Sequence, residues 1–400
     1  MAIPNVKANG YGSFRTDMFG RIKVSDAFTL FDSTHRYDQD GDFSDITETG
    51  ATTAHLVNES TATLNVTTTS GSKVYRESKK VFPYQPGKSL QVLQTFVFAP
   101  PKTNLRQRAG YFSRQNGFYL EQDGTNVYFV KRSYTTGSVV ETRIPQSQWN
   151  VDTLDGNGPS DIVLDLTKAQ ILFTEIEWLG VGSVRLGFAI DGYFIIAHQF
   201  NHANHISSVY MTTASLPVRY EIENTGTTAS ASTMKQICVS VVSNGGYAKS
   251  TKSHFAIRPS TNIATIFYPL IGVRMASNKT DSVIVASLYK LFPLATNDYD
   301  YAILKNPTSI TGGTWLSDID SNVEYNISAT AVSGGEIVAE GFFSATNQSS
   351  MGEESRLLDF AFQLGRTNAD TPVSDVFVLA CKVTTGTGSV KSSFGWYDLL

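Results

Sequence analysis

Glu175 and Glu177 stand two residues apart in the stretch FTEIEWLG. On a strand, residues i and i+2 point to one face, so the two carboxylates would sit about 7 Å apart. Paired acids on a sheet can serve glycoside hydrolysis, which needs an acid and a nucleophile or base at a defined separation. The competing arrangement sets Glu175 and Glu177 on the solvent face and turns Ile176 and Trp178 into the core. A second group is His198, His202 and His205 in AHQFNHANH, three imidazoles within eight residues that could ligate zinc. The pattern puts His198 on a strand and the other two on the loop after it, with no helix to gather them and no Asp or Cys nearby to complete a site. Third, Asp38, Asp40, Asp42 and Asp45 alternate beside Gly41. Calcium takes several oxygen ligands from a flexible turn. The order departs from an EF-hand loop, since glycine stands fourth and no glutamate stands twelfth.

Other signatures are thin. Gly180, Gly182 and Gly187 lack the spacing of a dinucleotide loop, and a strand follows them where a helix would be required. Cys238 and Cys381 are too few for a disulfide framework and lie in apolar runs that suit buried free thiols. The sequence offers no nucleophile elbow, phosphate loop or Cys/His dyad. No cofactor is expected.

The elements that must carry these residues read as β. Residues 171–200, ILFTEIEWLGVGSVRLGFAIDGYFIIAHQF, alternate apolar and polar and turn at Asp191-Gly192. Aspartate followed by glycine supplies the positive φ angles of a tight hairpin turn. The signature recurs upstream at Asn116-Gly117 and Asp123-Gly124. Consecutive antiparallel strands with one apolar face must pack on a second sheet. The expected fold is therefore all-β: a large antiparallel sandwich followed by a smaller β-domain. A sandwich of this kind more often holds and displays than catalyses.

Composition agrees. The chain has 400 residues, 12% of them aromatic with 24 Phe and 18 Tyr, which suits half-buried pleated surfaces. Only 17% are charged and the net charge is −4, so no electrostatic footprint for nucleic acid appears. Arg106, Arg108 and Arg114 cluster locally and read as a solvated strand edge. No stretch is long and apolar enough to cross a membrane, and the first residues lack a signal peptide's apolar run. The sequons at Asn58, Asn65, Asn278, Asn326 and Asn347 read as products of Ser/Thr/Asn-rich strands and turns.

Three divisions are expected. Residues 1–24 form an extended arm whose apolar anchors are Tyr11, Phe14 and Phe19, residues 25–243 the large sandwich, and residues 244–400 the C-terminal β-domain. Strands are expected there at 264–271, 282–292, 324–331, 337–343, 357–364 and 376–384. A helical start is expected for 351–362.

Two resemblances bear on function. The strand at Glu175 is similar to the catalytic strand of the concanavalin-like laminarinase and lichenase glycosidases, which carries glutamates four residues apart with an aspartate between them. Here Phe173 stands four residues before Glu177 and Leu179 four after Glu175, so one of the two acids is replaced and that mechanism does not carry over. The segments SFRTDMFGRIKVSDAFTLFDSTHRYD, EIEWLGVGSVRLGFAIDG and FNHANHISSVYMTTASLPVRYEI resemble stretches of structural proteins of tailed phages, notably marine ones. That resemblance spans most of residues 13–222 and implies a non-enzymatic virion component of the head, neck, baseplate or fibre, with a concanavalin-like or jelly-roll sandwich. It would be made in the host cytoplasm and join other virion proteins and copies of itself through the arm and the C-terminal domain. The first alternative is a receptor- or glycan-binding fibre module, with Trp149, Tyr193 and the loop 152–161 contacting host-surface glycans. The second is a glycan-degrading enzyme using Glu175 or Glu177.

Overall fold

The computed structural model describes residues 27–247, 253–346, 349–350, 353–356, 362–367 and 372–399. The arm anchors Tyr11, Phe14 and Phe19 lie outside these. The chain divides into two compact units, Met1–Ala248 and Lys249–Leu400.

The described part of the first unit is built from fifteen strands. They are β1 (Phe28–Ser33), β2 (Phe43–Glu48), β3 (Thr52–Leu56), β4 (Thr61–Val66) and β5 (Lys73–Ser78). Next come β6 (Ser89–Val97), β7 (Leu105–Phe112), β8 (Gly117–Asp123), β9 (Asn126–Ser133) and β10 (Val140–Pro145). The last five are β11 (Gln170–Ile176), β12 (Val184–Ile190), β13 (Tyr193–Phe200), β14 (Val218–Asn224) and β15 (Ser232–Asn244). One sheet runs β13-β12-β11-β6-β15-β4-β3, with β1 also on β15. The other runs β10-β9-β8-β7-β14-β5-β2, and every pairing within the two sheets is antiparallel. This is the antiparallel sandwich of concanavalin-like or jelly-roll type that the sequence led us to expect.

Period-two patterning explains the layers. On β6, Leu90, Val92 and Phe96 are at most 2% exposed, while Gln91, Leu93, Thr95 and Val97 are half-buried. Register places Leu172, Thr174 and Ile176 of β11 and Leu186 and Phe188 of β12 on the same inward face. They meet Ala109 and Tyr111 of β7, Phe118 and Leu120 of β8, and Tyr220 and Ile222 of β14, all fully buried. Burying side chains of this size stabilises the fold by roughly 1.5–3 kcal/mol each.

The hairpin series is split between the sheets. β7 to β10 form a meander in one, and β11 to β13 a meander in the other. Asp191 and Gly192 take φ of 50° and 82°, as a two-residue hairpin turn requires, and Ile190 pairs Tyr193. Asp123 pairs Asn126 across Gly124. At the remaining site the turn centres on Arg114 and Gln115, two residues before the Asn-Gly dipeptide, because Gly117 already pairs Phe112 and the Ser113 N–H donates to the Asn116 carbonyl.

In the second unit one sheet runs β16 (Ser253–Ile263), β28 (Gly388–Asp398), β18 (Ile284–Pro293), β26 (Glu353–Arg356). A second runs β21 (Leu316–Ser317), β22 (Val323–Asn326), β17 (Tyr268–Met275), β27 (Val376–Val383), β19 (Asn297–Lys305), β24 (Glu336–Thr346), β25 (Ser349–Ser350). β20 (Ser309–Thr311) and β23 (Ala331–Ser333) form a small hairpin. Both large sheets feed one core, with Leu270, Tyr289, Tyr299, Leu379, Phe394 and Trp396 inside it. Within 351–362, where a helical start was expected, Glu353–Arg356 is strand. Cys381 is a buried free thiol, whereas Cys238 is only half-buried.

Candidate functional site

The densest assembly of chemically capable side chains lies on the outward face of the seven-stranded sheet. Strand alternation sends Leu105, Gln107, Ala109 and Tyr111 inward, so Arg106, Arg108 and Phe112 point out. Register then brings Glu121 of β8 and Glu221 of β14 to either side of Arg108. Arg108 donates from Nε to Glu121 Oε2 at 2.6 Å and from Nη1 to Glu221 Oε2 at 2.9 Å. Arg219 spans Glu221 at 2.6 Å and Glu77 at 2.7 Å. On the other side Arg143 approaches Glu121 and Glu141, each at 3.1 Å, and Arg132 donates to Glu141 at 2.8 Å. Arg106 and the Tyr75 hydroxyl both donate to Glu223.

Aromatic rings floor this ladder. Arg108 and Arg132 lie 5.3 and 4.9 Å from the Tyr119 ring centre, and Arg219 lies 4.9 Å from that of Tyr75. Although the face points away from the core, Glu121 is fully buried and Glu221, Arg219 and Arg108 are 3–5% exposed. Burial pushes the Glu221 carboxyl up, but the charges of Arg219 and Arg108 outweigh it and hold it down at about 2. Burial likewise opposes ionisation of Glu141, and the Tyr119 hydroxyl together with Arg132 reverses that and keeps it low. A carboxylate so fixed accepts hydrogen bonds and stays ionised; it is poorly suited to deliver a proton. The reading of Arg106 and Arg108 as a solvated edge is thus corrected, since β7 lies between β8 and β14. What sequence could have shown was the alternation of charge in Arg219-x-Glu221-x-Glu223, which needs partners at the same register to close.

The sequence-derived acids fare differently from their expected solvent position. Glu175 and Glu177 are 5% and 1% exposed. Glu175 is on the outward side of β11, a strand flanked by β6 and β12, where Ser89 Oγ donates to it at 3.0 Å and Arg185 lies at 3.7 Å. Glu177 follows the strand, and its N–H faces the Ser183 carbonyl at 3.4 Å. Glu175 does face away from the core, but neither acid is solvated: Glu175 is covered among β6, β11 and β12, and Glu177 is buried just beyond the end of β11. Ile176 is in the core, and Trp178 is half-buried with its ring edge-on to Tyr84.

Nor do the histidines converge. His198 Nδ1 accepts from the Asn150 N–H at 3.2 Å, while His202 places Nδ1 2.7 Å from the Gly182 carbonyl and stacks on Tyr210. His205 is exposed. Desolvation lowers the pKa of both His198 and His202 to about 4, with the nearby Lys131 ammonium adding to the effect at His202. In the acidic loop, Asp42 pairs Lys80 at 3.0 Å and Asp45 pairs Arg76 at 2.7 Å, while Asp40 Oδ1 accepts from the Asp42 N–H. These contacts use the oxygens a cation would need. Among the described residues no group of three or more Asp, Glu, His or Cys side chains is arranged to hold a metal ion.

The expected glycan contacts separate as well. Trp149 is 4% exposed, stacked on Phe129 at 4.2 Å, with Nε1 directed at the Ile144 carbonyl, so its ring is not offered to a sugar. Tyr193 is 51% exposed at the start of β13. The loop at 152–161 is held from within, Asp152 accepting from the N–H groups of Leu154 and Ser160. A different concavity, of about 320 Å³, opens at one end of the sandwich. Thr103, Asn104, Asp123, Gly124, Asn126 and Thr225 line it. The Asp123 carboxylate has no hydrogen bond or ion pair among the described residues, and Asn104 holds φ of 66° while donating to the Thr227 carbonyl.

No protein-family model matches the chain, and no curated protein sequence matches it. Among solved structures, the carbohydrate recognition domain of Emp47p is 12% identical, with 53% of this chain and 93% of that chain covered and a TM-score of 0.34. The catalytic domain of a laminarinase from Thermotoga petrophila RKU-1 is 10% identical, covering 56% and 100%, with a TM-score of 0.38. The CBM2 module of the evolved Dit of Lactobacillus casei BL23 phage J-1 is 7% identical, covering 56% and 98%, with a TM-score of 0.34. Likenesses at this level carry no argument about activity, ligand or assembly. The strand order above defines the class of protein: a sandwich of the concanavalin-like or jelly-roll type, followed by a second antiparallel β-unit.

Proposed function

We propose that the chain is a non-enzymatic structural component of a tailed-phage particle, joining other virion proteins and copies of itself. The observation that carries the non-enzymatic part is the ladder. Where a sheet face offers Glu77, Glu121, Glu141, Glu221 and Glu223 together, each is committed to an arginine. Such a surface is stiff and electrically closed, suited to bearing load and display. The tailed-phage resemblance over residues 13–222 supplies the setting. Mass spectrometry and immunogold labelling of purified particles from the encoding phage test this reading. The chain should be found at a fixed copy number on the particle surface; its absence from particles that are otherwise complete overturns it.

A second reading, display of a glycan-binding site, is favoured by the polar concavity at Asp123. A carboxylate beside amides and hydroxyls suits a ligand rich in vicinal hydroxyls, and without an aromatic floor each site would bind weakly and depend on many copies. A multivalent form of the chain on an array of bacterial surface polysaccharides should bind, and Asp123→Ala should abolish the signal. Binding that survives the substitution removes this pocket from consideration.

A further inference from the structure

We infer that the free edge of β16 is a self-association site, through which two copies of this chain join their four-stranded sheets antiparallel across a twofold axis. The inference rests on the particle reading, which calls for contacts between copies. β16 ends its sheet: among the described residues it pairs β28 and no other strand. From Ser253 to Arg258 the ladder with β28 is uninterrupted, a run of about 20 Å. Its other edge therefore presents a row of N–H and C=O groups of the kind that templates pairing with another chain.

Among the described residues nothing blunts this stretch. Phe255 and Ile257 point outward and are 51% and 56% exposed. The one strong charge, Arg258, turns into the unit, where Nη1 donates to the carbonyls of Pro269, Leu270 and Ala329. Pro259 and the register shift come only afterwards. The edges at β13, β10 and β2 are protected. Along β13, the N–H groups of Val151 and Asp152 both donate to the Ala197 carbonyl, so a loop occupies part of that edge. β10 carries Glu141 and Arg143 and ends on Pro145, and β2 carries Asp45 and Glu48. Charges and prolines at those places discourage pairing.

The edge is also complementary to itself. Antiparallel pairing centred on Ala256 sets Phe255 of one copy beside Ile257 of the other, and the twofold repeats that contact. Leu288 and Phe292 of β18 and Tyr397 of β28 share the outward face by register with Lys290, Lys391 and Ser393, so the face is mixed and the apolar contact is concentrated at the axis, on Phe255 and Ile257. A contact of six residues a side falls below the ~1,200 Å² typical of stable pairs. The dimer should therefore be weak in free solution and strengthened where copies are held together.

Sedimentation velocity of the full-length chain over a rising concentration series tests this. A monomer–dimer equilibrium is expected for the unaltered chain, and Ile257→Lys, an exposed substitution, should leave monomer throughout. A Phe255→Cys/Ile257→Cys variant should form a covalent dimer on oxidation. A chain that stays monomeric across the series, or a dimer that survives Ile257→Lys, overturns the inference. Because the particle reading is judged on purified particles, a chain present in them yet monomeric alone defeats this edge contact and leaves that reading standing.

Discussion

Arg108 shows what a single side chain contributes here. It lies between two buried carboxylates over an aromatic ring, so its removal strands Glu121 and Glu221 where water is scarce. Breaking one partner of a buried pair typically costs about 3–5 kcal/mol, whereas removing both charges costs far less. Arg108→Met should therefore lower the denaturant midpoint sharply. Adding Glu121→Gln and Glu221→Gln to it should recover much of the loss, and equal midpoints for the single and triple variants would show that the ladder is not energetically coupled. The sequence made this residue visible as a charge but not as a member of a network. Its partners come from strands 13 and 113 residues away, and only register brings them together.

At the scale of elements, the strands and their turns were largely legible. Alternation exposed β6, β8, β9, β11, β12 and β13, and Asp-Gly dipeptides marked two of the hairpins. What stayed hidden was the sheet to which each hairpin belongs, because local alternation does not say that the chain changes layers between β10 and β11. Burial of Glu175 was hidden for the same reason: an interior strand and an edge strand can share one alternation. The strands β16 and β28 were missed, since Pro259 interrupts one and the serines and glycines of GSVKSSFGWYD dilute the other. Gly187 illustrates a requirement read only in three dimensions. A Cβ there would stand 1.9 Å from the Ile195 carbonyl oxygen, so β12 and β13 can approach only because that position is glycine.

For the molecule as a whole, three buried histidines set a pH limit on the first unit. His35, His198 and His202 are each 6% exposed or less, and burial, reinforced by Arg76 at His35 and Lys131 at His202, lowers each pKa from 6.5 to about 4. The folded form thus resists protons that the unfolded chain accepts. Stability should be full above pH ~6.5, fall as the pH drops towards 4, and gain no further loss from these groups below that. Each site is worth on the order of 1–3 kcal/mol over that window. A separate decline should follow as the pH passes from the ordinary glutamate range towards the Glu221 value of about 2. Calorimetry of the full chain from pH 7 to 4 should show a transition that weakens with acid, less steeply in His198→Gln. A flat profile over that interval would contradict the burial of these imidazoles in neutral form.

The pairing of β1 with β15 has a consequence for synthesis. Phe28 lies opposite Ser243, so the first described strand of this sandwich has its partner more than two hundred residues later. At ~5–20 residues per second, a ribosome leaves that strand waiting for about 10–40 s before its mate emerges. β15 also lies between β6 and β4, so the eight-stranded layer is not closed until translation of the first unit is almost finished. During that interval the nascent chain carries Leu30 and Phe31, both buried in the finished unit, on a strand whose ladder partner is still missing, although Phe43 and Phe82, which pack on Phe31, emerge earlier. The yield of this protein in a cell should depend on how well that interval is chaperoned.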